Sequence, residues 1–198
     1  MQVSYNNAMN SIFLNLMFSL FLISLGSKSM AAYIDLNYFS FTDQFTNASV
    51  NSYTRSIYDL TIGFEATNNK QIVLGLNSGS AQIKNKEGSS ETSFTTSDLG
   101  LKFIYFWNKN RTWSTSLIYY FTSTAKYNDG TGTEVSYRGT GIKFDFGYNF
   151  WLSDAIALAA KIHFYNPSFK ESVTNNIITD VSYKRTIIYP NFTFIFSF

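Results

Sequence analysis

The sequence predicts an all-β fold: an eight-stranded antiparallel up-and-down transmembrane β-barrel. Three observations carry this expectation. From Ala32 to the end, apolar side chains recur at every second position, which is the strand period. Short and long polar connections take turns between the apolar segments. Aromatic residues make up 19% of the chain, with 20 Phe and 14 Tyr, while charged residues are only 14%; a soluble domain usually carries ~25% charged residues.

The segment before Ala32 reads differently. Ile12 to Leu25 is an apolar run (IFLNLMFSLFLISL), shorter than the ~20 residues of a membrane-spanning helix. It suits the central region of a secretory signal, and the small residues Ser29 and Ala31 on either side of Met30 place cleavage before Ala32. Residues 1–31 are therefore expected to be a signal peptide and 32–198 a single barrel domain.

The strands follow in order. Ile34, Leu36 and Tyr38 alternate with Asp35 and Asn37. Leu60, Ile62 and Phe64 alternate with Asp59, Thr61, Gly63 and Glu65. A third segment sets Ile72, Leu74 and Leu76 against Val73, Gly75 and Asn77, and a fourth sets Leu99, Leu101, Phe103 and Tyr105 against Asp98, Gly100, Lys102 and Ile104. The fifth carries Trp113, Leu117, Tyr119 and Phe121 on one face and Ser114, Ser116, Ile118 and Tyr120 on the other. In the sixth, Ile142 to Phe150 alternates bulky residues with Gly141, Lys143, Asp145, Gly147 and Asn149. The seventh runs from Ile156 to Tyr165, with Lys161 and His163 on its polar face. The last carries Phe192, Phe194, Phe196 and Phe198. Short connections lie at Ala66–Lys70, Trp107–Arg111 and Leu152–Asp154; long ones lie at Thr42–Arg55, Lys84–Thr95, Lys126–Val135 and Asn166–Asp180.

Which face meets lipid follows from side-chain size. The lumen of an eight-stranded barrel holds only side chains. The small, polar, glycine-containing face is expected inward and the bulky aromatic face outward. Trp107, Trp113, Tyr148 and Trp151 flank the short turns, where an aromatic girdle would sit at the bilayer surface.

The terminal run Phe192-Thr-Phe194-Ile-Phe196-Ser-Phe198 resembles the C-terminal assembly signal of Gram-negative outer-membrane proteins. With a signal peptide and eight strands, the chain resembles the small outer-membrane barrels of the OmpA and OmpX kind. That resemblance implies a cell outer membrane location, periplasmic termini and short turns, and longer external loops. The implied partners are outer-membrane lipid, lipopolysaccharide and the barrel-assembly machinery, with the protein itself a monomer. Pro190 departs from the pattern, because it cannot donate to a ladder, and a bulge or local break is expected there.

Candidate chemistry is sparse. The chain has no Cys and one His, so thiolate metal sites, Cys nucleophiles and disulfides are excluded. A net charge of +2 gives no reason to expect nucleic acid. No metal or cofactor is expected, since the carboxylate spacing fits no calcium loop. Alternation turns Asp35 and Glu65 inward, together with a lumen ion-pair network of Asp59, Asp98, Lys102, Lys143, Asp145, Lys161 and His163. Opposite signs in so narrow a space favour pairing. A turn at Leu152–Asp154 would set Asp145 opposite Lys161, with Lys143 beside His163. The expected role is structural or surface-interacting, with a closed polar lumen and no enzymatic activity. The alternatives are a narrow channel or carrier for small apolar molecules, and a lipid-modifying enzyme using His163 and Ser168.

Overall fold

The protein is described by a computed structural model covering residues 31–46, 50–175 and 177–198. Apart from Ala31, the expected signal peptide lies outside the described residues. Nine strands follow in order: β1 (Ala32–Thr46), β2 (Val50–Glu65), β3 (Ile72–Glu87), β4 (Ser90–Phe106), β5 (Trp113–Asn128), β6 (Glu134–Trp151), β7 (Ile156–Thr174), β8 (Ile177–Lys184) and β9 (Ile187–Ser197). Each strand from β1 to β7 pairs antiparallel with the next; β9 then pairs with both β7 and β1 and closes the ring. β8 pairs with β7 above β9. Eight strands thus form the wall, and β8 extends the eighth beyond it.

The closed ladder, which between β1 and β9 reaches as far as Tyr38↔Phe192, pairs the backbone as a sheet spanning hydrocarbon requires. On β6 the outward residues Ile142, Phe144, Phe146, Tyr148 and Phe150 are all exposed, while Gly141, Lys143, Asp145, Gly147 and Asn149 between them are buried. Ile142 to Phe150 matches the ~9–11 residues of a tilted membrane strand. β7 and β9 repeat the pattern with Ile156 to Phe164 and Ile188 to Phe194 outward. Trp113 stacks on Phe146 and meets Tyr148 edge-on at the short-turn rim of this belt.

The long connections read from sequence are mostly strand. β1 and β2 stay paired to Thr46↔Val50, β3 and β4 to Glu87↔Ser90, β5 and β6 to Asn128↔Glu134, and β7 and β8 to Thr174↔Ile177. In these outer halves the outward positions become Ser, Thr, Gln and Lys, as at Ser78, Ser80, Gln82 and Lys84 on β3. Polar residues on the outward face remove the hydrophobic period without removing the ladder. The result is a belt in lipid continued by a water-exposed β-extension. The tip between β3 and β4 turns at Gly88, whose φ of 59° falls in the left-handed region that glycine enters without strain.

The β6–β7 register also differs from expectation. Ala155 belongs to the turn, so Trp151 pairs with Ala157, Asp145 with His163, Gly147 with Lys161 and Lys143 with Tyr165. Asp145 therefore does not face Lys161, and Lys143 does not face His163. The expected break at Pro190 is present. β9 pairs with β1 only from Tyr33↔Ser197 to Tyr38↔Phe192, and the ladder to β1 stops short of Pro190, which remains opposite Ile162 of β7.

Candidate functional site

The lumen is not uniformly small and polar, as its sequence suggested. It is filled in layers. At the short-turn end Tyr33, Val73, Ile104, Phe106, Ala157, Ala159 and Ile195 form an apolar cluster against Trp151. A second apolar cluster nearer the outside joins Ile57, Ile118, Tyr120, Tyr165, Ile187 and Tyr189. Between them lie the buried charges. The large rings fit because glycine clears space opposite them. A Cβ on Gly141 would come within 3.3 Å of both Tyr120 and Tyr165, and one on Gly79 would meet the Tyr120 hydroxyl at the same distance.

In the charged layer, Asp35 on β1 is the hub. Lys102 Nζ of β4 donates to Asp35 Oδ2 at 2.7 Å and to Thr61 Oγ1 at 3.1 Å. Lys161 of β7 stands 3.8 Å from the same carboxylate, and Asn37 Nδ2 donates to its other oxygen at 3.0 Å. Lys102 also lies 3.9 Å from Asp145. Asp145 accepts from Ser116 Oγ at 2.6 Å and contacts His163 Nδ1 at 2.5 Å. The His163 ring lies parallel to Tyr189, with ring centres 4.7 Å apart. Lys143 on β6 reaches across the lumen to Asp59 on β2 at 2.5 Å. Both side chains are almost fully buried, at 1% and 3% exposure.

The sequence-expected set thus divides. Asp59 with Lys143, and Asp145 with Lys102 and His163, are brought together. Lys161 joins through Asp35 rather than through Asp145. Asp98 has no cation partner among the described residues; it accepts from Ser123 Oγ at 2.5 Å and from the Tyr165 hydroxyl at 2.6 Å. His163 and Ser168 do not form a pair: His163 is buried in the lumen, while Ser168 lies on the opposite face of β7.

Sequence reasoning missed a clasp at the short-turn rim. Arg111, in the β4–β5 turn at φ 54°, turns its guanidinium inward. Nη1 donates to Glu65 Oε1 at 2.9 Å and to Ser197 Oγ at 3.3 Å, and Nη2 donates to the Asp154 carbonyl at 3.0 Å. The group lies 3.6 Å from the centre of the Trp151 ring. One side chain therefore ties the end of β2, the end of β9 and the β6–β7 turn across the ring. Inward Glu65 was the sequence signal for it, since a buried carboxylate requires a partner.

At the external mouth a cavity of about 270 Å³ remains open. Tyr53, Ile83, Asn85, Phe94, Tyr127 and Arg185 are among its walls. Beside it Phe94, Ala125 and Phe169 are buried together against Tyr137, and Tyr183 stacks on Phe169. At the β5–β6 tip, the hydroxyl and amide of Thr131 both donate to Asp129 and hold its carboxyl below the usual carboxylate range.

No protein-family model matches the chain, and no curated protein matches it. Solved structures do. Neisserial surface protein A superimposes with a TM-score of 0.51 and 14% identity, over 87% of this chain and 99% of that one. The outer-membrane protein AlkL aligns over 87% of this chain and 92% of its own, with 12% identity and a TM-score of 0.44. The translocator domain of the autotransporter NalP from Neisseria meningitidis covers 96% of this chain and 68% of its own, at 8% identity and a TM-score of 0.42. At these identities the likeness is one of fold. The chain has the fold of the small Gram-negative outer-membrane β-barrels.

Proposed function

We propose that the protein is a monomeric, non-conducting barrel whose role is to present its external β-extension at the cell surface. The observation that carries this reading is how the chain is divided. The belt halves of the strands anchor a filled lumen, and the outer halves stay paired to their tips. Pairing to the tip makes each hairpin a rigid projection, suited to contact with lipopolysaccharide or a surface partner. The filled lumen disfavours the channel reading. The buried His163, on the opposite face from Ser168, disfavours the lipid-modifying one.

The chain has no cysteine, so single cysteines report surface presentation cleanly. Lys86→Cys, at the β3–β4 tip, is expected to react in intact cells with a polymer-linked maleimide too large for porins. Asn68→Cys, in the β2–β3 turn, is expected to react only after the outer membrane is opened. Labelling of Asn68→Cys in intact cells, with Lys86→Cys protected, would invert the barrel and remove the proposed role.

Assembly supplies a second test. Phe192, Phe194 and Phe198 are exposed on the lipid face of the closing strand, available to the assembly machinery. Deleting Phe198 is expected to lower the folded, heat-modifiable protein in outer membranes severalfold and to raise periplasmic degradation. Unchanged membrane levels would contradict recognition through this terminus.

A further inference from the structure

Two of the arginines with no acid partner, Arg55 and Arg185, lie at the cavity of the external mouth. Lys102, Lys143, Lys161 and Arg111 in the lumen, and Lys84 and Lys126 on the hairpins, each lie within ion-pair distance of a carboxylate. Among the described residues, Arg55, Arg138, Arg185, Lys86, Lys109, Lys170 and Lys184 do not, and of these only Arg185 is a wall of the cavity. Arg185 enters from the link between β8 and β9, and its guanidinium lies 4.7 Å from the centre of the Phe94 ring. It is itself a wall of the 270 Å³ cavity. Arg55 on β2 donates from Nε and Nη2 to the Tyr53 hydroxyl at 3.1 and 2.7 Å. Its Nη1 donates to the Ile188 carbonyl at 3.4 Å.

The seam in the wall accounts for the position of Arg55. Above Tyr38↔Phe192, β1 and β9 make no ladder, and Pro190 has no N–H to offer. The Ile188 carbonyl takes its hydrogen bond from the Arg55 side chain instead. The cavity is open to the medium above, and its wall residue Tyr53 is linked through Arg55 to the Ile188 carbonyl at the unladdered seam. Its chemistry is specific. Phe94, Tyr53 and Tyr127 offer ring faces and edges, Asn85 offers an amide, and Arg185 offers a planar fork suited to a carboxylate. Its volume is close to the ~300 Å³ lower bound of small-ligand sites.

We propose that this vestibule binds a small apolar or aromatic monoanion, with its acid group on Arg185 and its ring or chain against Phe94 and Tyr127. The Lys143–Asp59 layer beneath makes it a receptor site rather than an entrance to a pore. Only that last clause rests on the sealed lumen. Equilibrium binding tests the site and conductance tests the seal, so the two can fail separately.

The experiment uses the barrel in lipid nanodiscs and 1-naphthoate as probe, read by calorimetry against empty nanodiscs. Saturable one-to-one binding is expected. The neutral analogue 1-naphthamide should bind at least about tenfold more weakly, as should naphthoate to Arg185→Gln, because a charge-assisted bond is lost in each case. Lys126→Gln, on a hairpin outside the cavity, should leave affinity unchanged. Heat-modifiable mobility checks that each variant is folded. Oleate carried in the bilayer tells the sources apart. Displacement of naphthoate supports supply through the seam; binding without displacement supports supply from the medium. Equal affinity for acid and amide, wild-type affinity in folded Arg185→Gln, or no saturable binding at millimolar probe would overturn the proposal.

Discussion

Replacing Lys143 by Met is expected to destabilise the barrel by about 3–5 kcal/mol, since the change leaves Asp59 charged and without its cation in a filled lumen. The two side chains are 1% and 3% exposed, so water cannot take over from the lysine. The nearest remaining donor to Asp59 is the Tyr120 hydroxyl at 3.4 Å, a long bond that is already directed at Asn77 Oδ1 at 2.8 Å. Replacing both partners, as in Lys143→Met with Asp59→Leu, removes the charge along with its need. The double variant should therefore regain most of the loss, as buried pairs replaced by apolar residues commonly do. Urea unfolding of the barrel in lipid vesicles measures all three variants. Strict additivity of the two single losses would show that the pair is not coupled.

Phe144→Arg is the second large effect, expected at about 2–4 kcal/mol for a cation near the bilayer midplane. Phe144 is the central outward residue of the β6 run and pairs with Phe164 on β7, with ring centres 6.4 Å apart. Lipid surrounds both, and no carboxylate lies on this face of β6 from Ile142 to Phe150. The same substitution at outward Gln82, on the polar extension of β3, should be close to neutral. The contrast between the two sites, in one unfolding assay, locates the membrane boundary. A small, equal effect at both would mean that the aromatic face does not meet hydrocarbon.

The faces were legible in the sequence and the partners were not, for one physical reason. Strand side chains alternate with a period of two, so moving the β6–β7 turn by one residue to include Ala155 leaves Asp145 and Lys161 inward but no longer opposite. Hydrophobicity fixes which wall a side chain faces and says little about which inward group it meets across the lumen. Lys143 and Asp59 are 84 residues apart, and nothing local joins them. The outer strand halves were hidden for a related reason. Ser78 to Lys86 on β3 carries polar residues at its outward positions and only Ala81 and Ile83 as inward apolar ones, so its ladder leaves little hydrophobic signature. Arg111 reads as a turn residue, and only its left-handed backbone and inward reach reveal the clasp. Pro190, by contrast, announced its break directly, because a missing N–H is a property of the residue itself.

The proposed seal of the lumen consists of apolar layers above and below a paired charge layer. Single-channel recording in a planar bilayer tests it most directly, on wild-type protein whose insertion is shown by protease protection of the belt. The expected record is a flat baseline with no steady conductance at any applied voltage. A stable, ohmic channel in the unmodified protein would contradict the seal formed by Asp35, Lys102, Asp145, Lys143 and Asp59.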